Sequence, residues 1–376
     1  MRVHVIVPEG FDDPGQPTGC NIYDRRACAG LAAAGWDVLV TTVTPAWPVP
    51  GPGARAGLAR IVAAIPDGET VLIDGLIASP AVAQLLPQAG RLRMTVLLHM
   101  PLATALDRNH DAGALRSERA VLGAASGVVV TSEWTRQQVL TRYAVPACRV
   151  HVARPGADQV AAPPRPVRGH LICVGVLGRH KGQDLLVEAL AGLADRDWHC
   201  VLAGELGRDP DFVDHLRARI TRLGYGHRVR LTGVLTGAAL SHAYTTADLL
   251  VAPSRSETYG MTVTEALAHG LPVLAAAVGG LPEAFGATAD GPGPGPGPGQ
   301  LIPPGDPAAL AAALGDWLDD EGHRRRLRVA ARQRRSDLRG WEHTTDEIAS
   351  ALTGRGRDNP APLGVSIHTG KSGGRG

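Results

Sequence analysis

Ser254-Arg-Ser-Glu257-Thr-Tyr-Gly260-Met-Thr-Val-Thr-Glu265-Ala-Leu-Ala-His-Gly270-Leu-Pro-Val-Leu-Ala-Ala-Ala-Val-Gly279-Gly280-Leu-Pro-Glu283-Ala-Phe285 decides the fold. An apolar strand, residues 248–252, runs straight into it. Two carboxylates follow, separated by seven residues, with Gly260 where a helix should begin and Gly270 where it ends. Residues 272–276 read as the next strand, and the Gly279-Gly280 turn opens another helix. Strand, polar loop, helix, strand, helix is the order of a parallel α/β sheet.

That layout suits a phosphate. Free N–H groups at a helix start point outward, and the helix dipole favours negative charge there. Gly260 lets backbone approach a ligand, and Met261 and Thr262 are the first helical N–H groups behind it. Glu265 lies about one turn in, long enough to accept from vicinal hydroxyls, and Glu257 lies at the mouth. A carboxylate beside a phosphate-binding helix start is how α/β folds hold a ribose. The stretch reads as a site for a nucleotide joined through phosphates to a polyhydroxyl group.

Glu257-x7-Glu265, then Ala266-x3-Gly270-x-Pro272-Val273, then Gly279-Gly280-x2-Glu283, resembles the donor-site signature of glycosyltransferase family 4. The resemblance implies a GT-B fold: two doubly wound, Rossmann-like α/β domains facing a central cleft. It implies a retaining transfer of a hexosyl group from a UDP- or GDP-sugar to an acceptor hydroxyl. The acceptor would be a small molecule, a glycan or a lipid-linked compound. A nucleotide-sugar 2-epimerase of the same fold and a non-catalytic nucleotide-sugar-binding protein are the rival readings. Intact Glu257, Lys181 and Glu265 argue against a degenerate site.

Composition sets the frame. The 376 residues suit two domains, and 44% hydrophobic with 20% charged residues is an ordinary globular balance. A net charge of +2 gives no argument for nucleic acid. Five cysteines, an odd number with no Cys-x-x-Cys, point to a reducing compartment rather than to disulfides or zinc. The first strand starts at Arg2 and meets Pro8 too soon for a signal peptide, so the expected location is cytoplasmic.

From the N-terminus, a strand at 3–7 leads through a polar loop to Gly19 and a helix over 21–34. One glycine is a weak phosphate motif by itself. The family places Gly-Gly here, near the donor; this chain has Gly19-Cys20. Further strands are expected at 37–43, 71–74, 94–99, 127–131 and 150–153, with helices over 78–86, 111–125 and 132–143, Ser132 capping the last. His99 closes a strand, where an open parallel sheet lines its ligand crevice. The resemblance gives it contact with the donor sugar. Arg154-Pro-Gly-Ala-Asp158 resembles the family's turn between domains.

The second half opens with a strand at 171–174, then Gly175-Val-Leu-Gly-Arg179-His-Lys181-Gly182 before a helix to about 193. A lysine at a helix start is placed to meet a diphosphate. The family often has an arginine where Val176 stands, and Arg179 is the candidate to supply that charge instead. Strands follow at 198–203 and 229–231, and Val234 falls where family backbone meets the base. Asp195-x-Asp197 and Asp209-x-Asp211 lie at helix ends rather than in a strand-end metal loop and read as chance, so no metal or other cofactor is expected.

Gly291 to Gly299 alternates Gly and Pro and reads as a flexible loop. Asp306 caps a helix beginning at Pro307. The arginine-dense helix 324–335 reads as a solvated face; weak contact with an anionic membrane surface, which would place the protein peripherally there, is the lesser reading. A last helix, 341–352, should cross back onto the first domain. The expected organisation is an acceptor-side domain 1–160, a linker 161–169, a donor domain 170–338, a returning helix 339–352 and a disordered tail 353–376.

Overall fold

The computed structural model describes residues 1–354 except 14, 16, 45–46, 103–111, 161–164 and 287–296. Most of the Gly/Pro run, the start of the linker, Asp111 and the tail from 355 therefore lie outside the described residues.

Two six-stranded parallel sheets organise the chain. The first has the order β2-β1-β3-β4-β5-β6, with β1 Arg2–Pro8, β2 Asp37–Val43, β3 Thr70–Asp74, β4 Arg93–Leu98, β5 Gly127–Val130 and β6 Val150–Val152. The second has the order β12-β11-β10-β7-β8-β9, with β7 His170–Val174, β8 His199–Ala203, β9 Val229–Gly233, β10 Leu249–Ala252, β11 Val273–Ala276 and β12 Gly299–Ile302. Central strands such as Gly127–Val130 and Leu249–Ala252 are buried throughout, as expected of parallel strands covered on both faces. The edge strand Asp37–Val43 is mostly exposed.

Alternation splits each sheet between two cores. Val3, Val5 and Val7 face one layer and Ile6 the other; Leu249 and Val251 face one layer, Leu250 and Ala252 the other. Helices α1 Gly19–Ala33, α2 Pro52–Ala64, α3 Gly75–Ala78, α4 Val82–Leu85, α5 Ala112–Ala124 and α6 Glu133–Tyr143 cover the first sheet. Around the second lie α7 Gln183–Ala191, α8 Pro210–Arg222, α9 Gly237–Thr246, α10 Met261–Ala268, α11 Leu281–Phe285, α12 Pro307–Asp319 and α13 Glu321–Ser336. The last helix, α14 Trp341–Thr353, returns to the first sheet, where Ile348, Ala351 and Leu352 share a core with Val3 and Val5. Among the described residues no helix is long and apolar enough to cross a membrane.

Two expectations need correction, and one helix, α2, is an addition. The single helix over 78–86 is two short helices, α3 and α4, because Pro80 lacks the N–H that a continuous helix needs. Helix α2 carries no strong start signal beyond Pro52 and was not foreseen. The arginine-dense helix α13 is not simply a solvated face. Arg324 is buried and donates to the carbonyls of Trp317 and Leu318 at 2.5 and 2.8 Å, and Arg328 pairs with buried Asp248.

Candidate functional site

The second sheet has the strand order of a dinucleotide-binding fold, and its order reverses between β7 and β10. The loops leaving those strands carry Lys181 and Glu257. They are zipped together: Arg255 and Ser256 donate from their backbone to the His180 carbonyl, at 2.8 and 3.3 Å. The Arg255 guanidinium grips Asp184 with two hydrogen bonds of 2.7 Å. Lys181 Nζ donates to Glu257 Oε2. Burial pulls the Lys181 pKa down, but the Glu257 charge and hydrogen bond outweigh it and the net direction is up. The ammonium therefore stays charged.

Glu257 is fixed from behind by the Gly-Gly turn. A Cβ on Gly279 would sit 1.8 Å from the Glu257 carbonyl oxygen, and the Gly280 N–H donates to that oxygen at 3.0 Å. These glycines support the carboxylate's loop rather than a ligand. The third carboxylate of the motif, Glu283, reaches the other half: it accepts from the Glu133 backbone at 2.8 Å and pairs with Arg154. Ser132, besides capping α6, donates to the Thr258 carbonyl at 2.6 Å.

Helix α10 opens after Gly260, whose φ of +104° is one that residues with a side chain rarely adopt. Gly260 has no side chain to cap this helix, and among the described residues the N–H groups of Met261 and Thr262, which line the cleft, have no hydrogen-bond partner. One turn on, Glu265 accepts from Tyr244 Oη at 2.8 Å. Burial pushes its pKa up to about 7, against the pull of the Tyr244 hydrogen bond.

The first half faces this from across the cleft. Thr18 caps α1 by accepting from the Asn21 N–H, and the added Cβ of Gly19 would lie 3.6 Å from Met261 Sδ. His99, just past β4, presents its Nε2 to Asp24 Oδ1 at 2.8 Å, with Asp74 Oδ2 at 4.0 Å. Burial lowers the His99 pKa, but the Asp24 charge and hydrogen bond, with Asp74, leave it raised. Burial and the Asp24 charge push Asp74 up to about 7. Asp24, Asp74 and His99 are the one trio among the described residues whose ligand-type atoms, all within 4.8 Å of each other, could hold a cation. Tyr23 packs its edge against His99 and donates to the Ala153 carbonyl at 2.8 Å.

One cleft of about 270 Å³ joins these groups, close to the lower end of small-molecule sites at roughly 300 Å³. Its walls include Gly19, His99, Lys181, Val234, Glu257, Gly260, Met261, Thr262 and Glu265. Arg179 is the exception. It is exposed, lies outside the lining, and its carbonyl accepts from Arg255. The 3₁₀ turn Arg179–Lys181 brings Lys181 inward and leaves Arg179 facing solvent. Arg208, Tyr23 and Thr131 line the cleft without having been singled out in the sequence. The two Asp-x-Asp sequences play local parts: Asp209 caps α8 and Asp195 pairs with Arg196.

The family model described as Glycosyl transferases group 1 matches residues 165–334. D-inositol 3-phosphate glycosyltransferase 1 of Catenulispora acidiphila is 33% identical over 270 residues, covering 65% of this chain and 62% of that protein. The D-inositol 3-phosphate glycosyltransferase of Kineococcus radiotolerans is 31% identical over 279 residues, covering 69% and 64%. The chain spans less than two thirds of the length of either relative. Sucrose-phosphate synthase from Thermosynechococcus elongatus superposes with a TM-score of 0.75 at 24% identity, over 94% of this chain and 98% of its own. Anabaena HepE, in complex with UDP and glucose, gives 0.72 at 19% identity over 94% and 99%. At those identities the likeness is one of fold. Residues 165–334 match the glycosyl transferases group 1 model, within a chain that has the GT-B fold of these neighbours.

Proposed function

We propose that the protein is a retaining glycosyltransferase that moves a sugar from a nucleoside diphosphate sugar to an acceptor hydroxyl. The observation that carries this is the meeting, in one cleft, of the Lys181–Glu257 pair, Glu265 and the uncapped start of α10. A ribose sits against Glu265, the diphosphate against Lys181 and the N–H groups of Met261 and Thr262, and the base near Val234. The sugar then lies between Glu257 and His99, with Gly19 at its diphosphate end.

In the reaction the bond from the anomeric carbon to the diphosphate oxygen breaks. The acceptor oxygen bonds to the same face of that carbon, and its proton passes to the departing phosphate oxygen. Negative charge grows on the diphosphate, and Lys181 with the α10 dipole stabilises it. No metal is proposed: protein groups, Lys181 and the start of α10 among them, would face the diphosphate. Residues 1–160 would serve the acceptor, 170–338 the donor, and 339–352 would tie them together, with the protein working in the cytoplasm. The names of its relatives make a phosphorylated cyclitol the first acceptor to try, and the ligands of HepE make UDP-glucose the first donor.

Melting curves with UDP-, GDP- and ADP-sugars test donor binding, because a ligand that binds only the folded state raises Tm. A donor-only incubation separates the rivals. An isomerised nucleotide sugar would indicate the 2-epimerase, whereas nucleoside diphosphate released only with acceptor, and a product of unchanged anomeric configuration by NMR, indicate the transferase. Binding with neither reaction would leave a non-catalytic binding protein.

A further inference from the structure

Two full cations line the cleft among the described residues, Lys181 and Arg208. Lys181 is already committed to Glu257. Arg208 is not committed in this way. Its one recorded partner is Glu205, three residues away at 3.5 Å, and both side chains are more than a third exposed. A contact that long and that wet is worth little.

The loop that carries Arg208 leaves β8 and is pinned to the loop that carries Lys181. Gly175 donates from its backbone to the Ala203 carbonyl at 2.9 Å, and Leu177 donates to the Glu205 carbonyl at 3.0 Å. The loops are so close that a Cβ on Gly204, at φ +158°, would lie 1.9 Å from the Gly175 oxygen. A Cβ on Gly175 would in turn press the Lys181 stem at 3.3 Å. Arg208 is also felt on both sides of the cleft. Its charge is among those acting on His180, beside Lys181, and on Cys20, at the start of α1.

We propose that Arg208 binds the diphosphate of the donor and is the second cation that stabilises it as a leaving group. This rests on the nucleotide-sugar reading above. A nucleoside diphosphate brings more negative charge than one already paired lysine can balance. Position 176, on the neighbouring loop, is a valine and supplies none. Arg208 fills that deficit from β8 with a planar fork able to bridge two phosphate oxygens.

Calorimetry on the full chain compares wild type, Arg208→Gln and Arg208→Lys with UDP, GDP and ADP, and with the matching nucleosides as phosphate-free controls. The expected result is a 10- to 100-fold loss of nucleoside diphosphate affinity in Arg208→Gln, partial recovery in Arg208→Lys, and no change with nucleoside. Turnover should fall with affinity, because the leaving diphosphate gains charge. Unchanged affinity in a folded Arg208→Gln would overturn the assignment. So would a loss confined to the KM of a phosphorylated acceptor such as an inositol phosphate, which would give Arg208 to the acceptor instead. If wild type itself binds none of the three diphosphates, the nucleotide-sugar reading fails first, and this assignment with it.

Discussion

The first half gives the cleft the His99–Asp24 pair and the second gives it Lys181–Glu257, and the two are held in opposite ways. His99 rests on Asp24 and Asp74, all three buried, and the trio is assembled from α1, the end of β3 and the end of β4. Lys181 and Glu257 join two loops at the mouth of the second sheet, with side chains 20% and 16% exposed. The first pair has no room to exchange partners, so its geometry is set before any ligand arrives. The second is less deeply buried and lies on the cleft, where on the proposed function each member would trade the other for a substrate group. A fixed wall faces an exchangeable one, which suits a reaction in which charge appears on one side only.

The largest effect expected is on the fixed wall. Asp24→Ala removes one partner of a buried pair, a change that commonly costs roughly 3–5 kcal/mol of stability. The melting temperature should drop sharply, and the His99 pKa, read by NMR titration in a surviving Asp24→Asn protein, should fall because the charge holding it up is gone. A His99 titration that does not move would break the contrast.

On the exchangeable wall, Lys181→Ala should act on turnover more than on folding. Loss of one donor to a developing anion costs about 3–4 kcal/mol, or roughly 10²- to 10³-fold in kcat. Steady-state kinetics beside a melting curve is the check. Near-normal turnover in a folded variant would reduce Lys181 to a structural partner of Glu257.

Glu265→Gln should weaken nucleoside diphosphate binding by roughly 1–3 kcal/mol. It also carries a pH signature. The folded pKa of Glu265 is raised from 4.5 to about 7, so burial favours the protonated form. Its contribution to stability is full below the unfolded pKa and is lost as pH rises through about 7. Binding runs the other way, because ribose hydroxyls need an ionised acceptor, and affinity should increase over the same range. Titrations at pH 6 and pH 8 should show both trends in wild type and weaker ones in Glu265→Gln, where the stability trend from Asp74, also pushed up to about 7, persists; the difference between the two proteins is the Glu265 signature, after correction for the ligand's own ionisation.

The smallest effect is expected where the halves clasp. Glu283→Gln breaks the pair with Arg154, which is nearly half exposed, and should cost about 0–1 kcal/mol in a melting experiment. Affinity for nucleoside diphosphate should stay the same. A large loss of affinity would mean that Glu283 sets the width of the cleft.

The Glu257–Glu265 part of the second wall was legible because its residues are neighbours in the chain, whereas Lys181, 76 residues from Glu257, was found separately by its place at a helix start. Glu257, Gly260, Met261, Thr262 and Glu265 fall within nine residues, and strand, glycine and helix signals order them in space. The first wall is spread out. His99 was found by its place at a strand end, but Asp24 and Asp74 are 75 and 25 residues away and meet it only through the sheet order. The run Val71-Leu-Ile-Asp74-Gly75 did hold a clue, a carboxylate at the end of an apolar parallel strand. Arg179 and Arg208 show the limit from the other side. Both are loop arginines of the second half, and which one faces the cleft depends on a single 3₁₀ turn and on how one loop leans against another. Helix α13 misled for a related reason. Its apolar stripe of Leu327, Ala330 and Ala331 is thin, and carbonyls at the end of α12 make a polar seat for Arg324 that no local pattern announces.

The return of α14 bears on how the chain is made. The first sheet is complete once Val152 has been synthesised, yet the helix that covers part of one of its faces begins at Trp341, about 190 residues later. At roughly 5–20 residues per second, that face waits on the order of 10–40 s on the ribosome before Ile348 and Leu352 reach it. Until then Val3, Val5 and Leu72 are only partly covered, by α1. The nascent first half is therefore a client for whatever shields apolar surface during translation, and a chain cut short before Trp341 keeps that need for good.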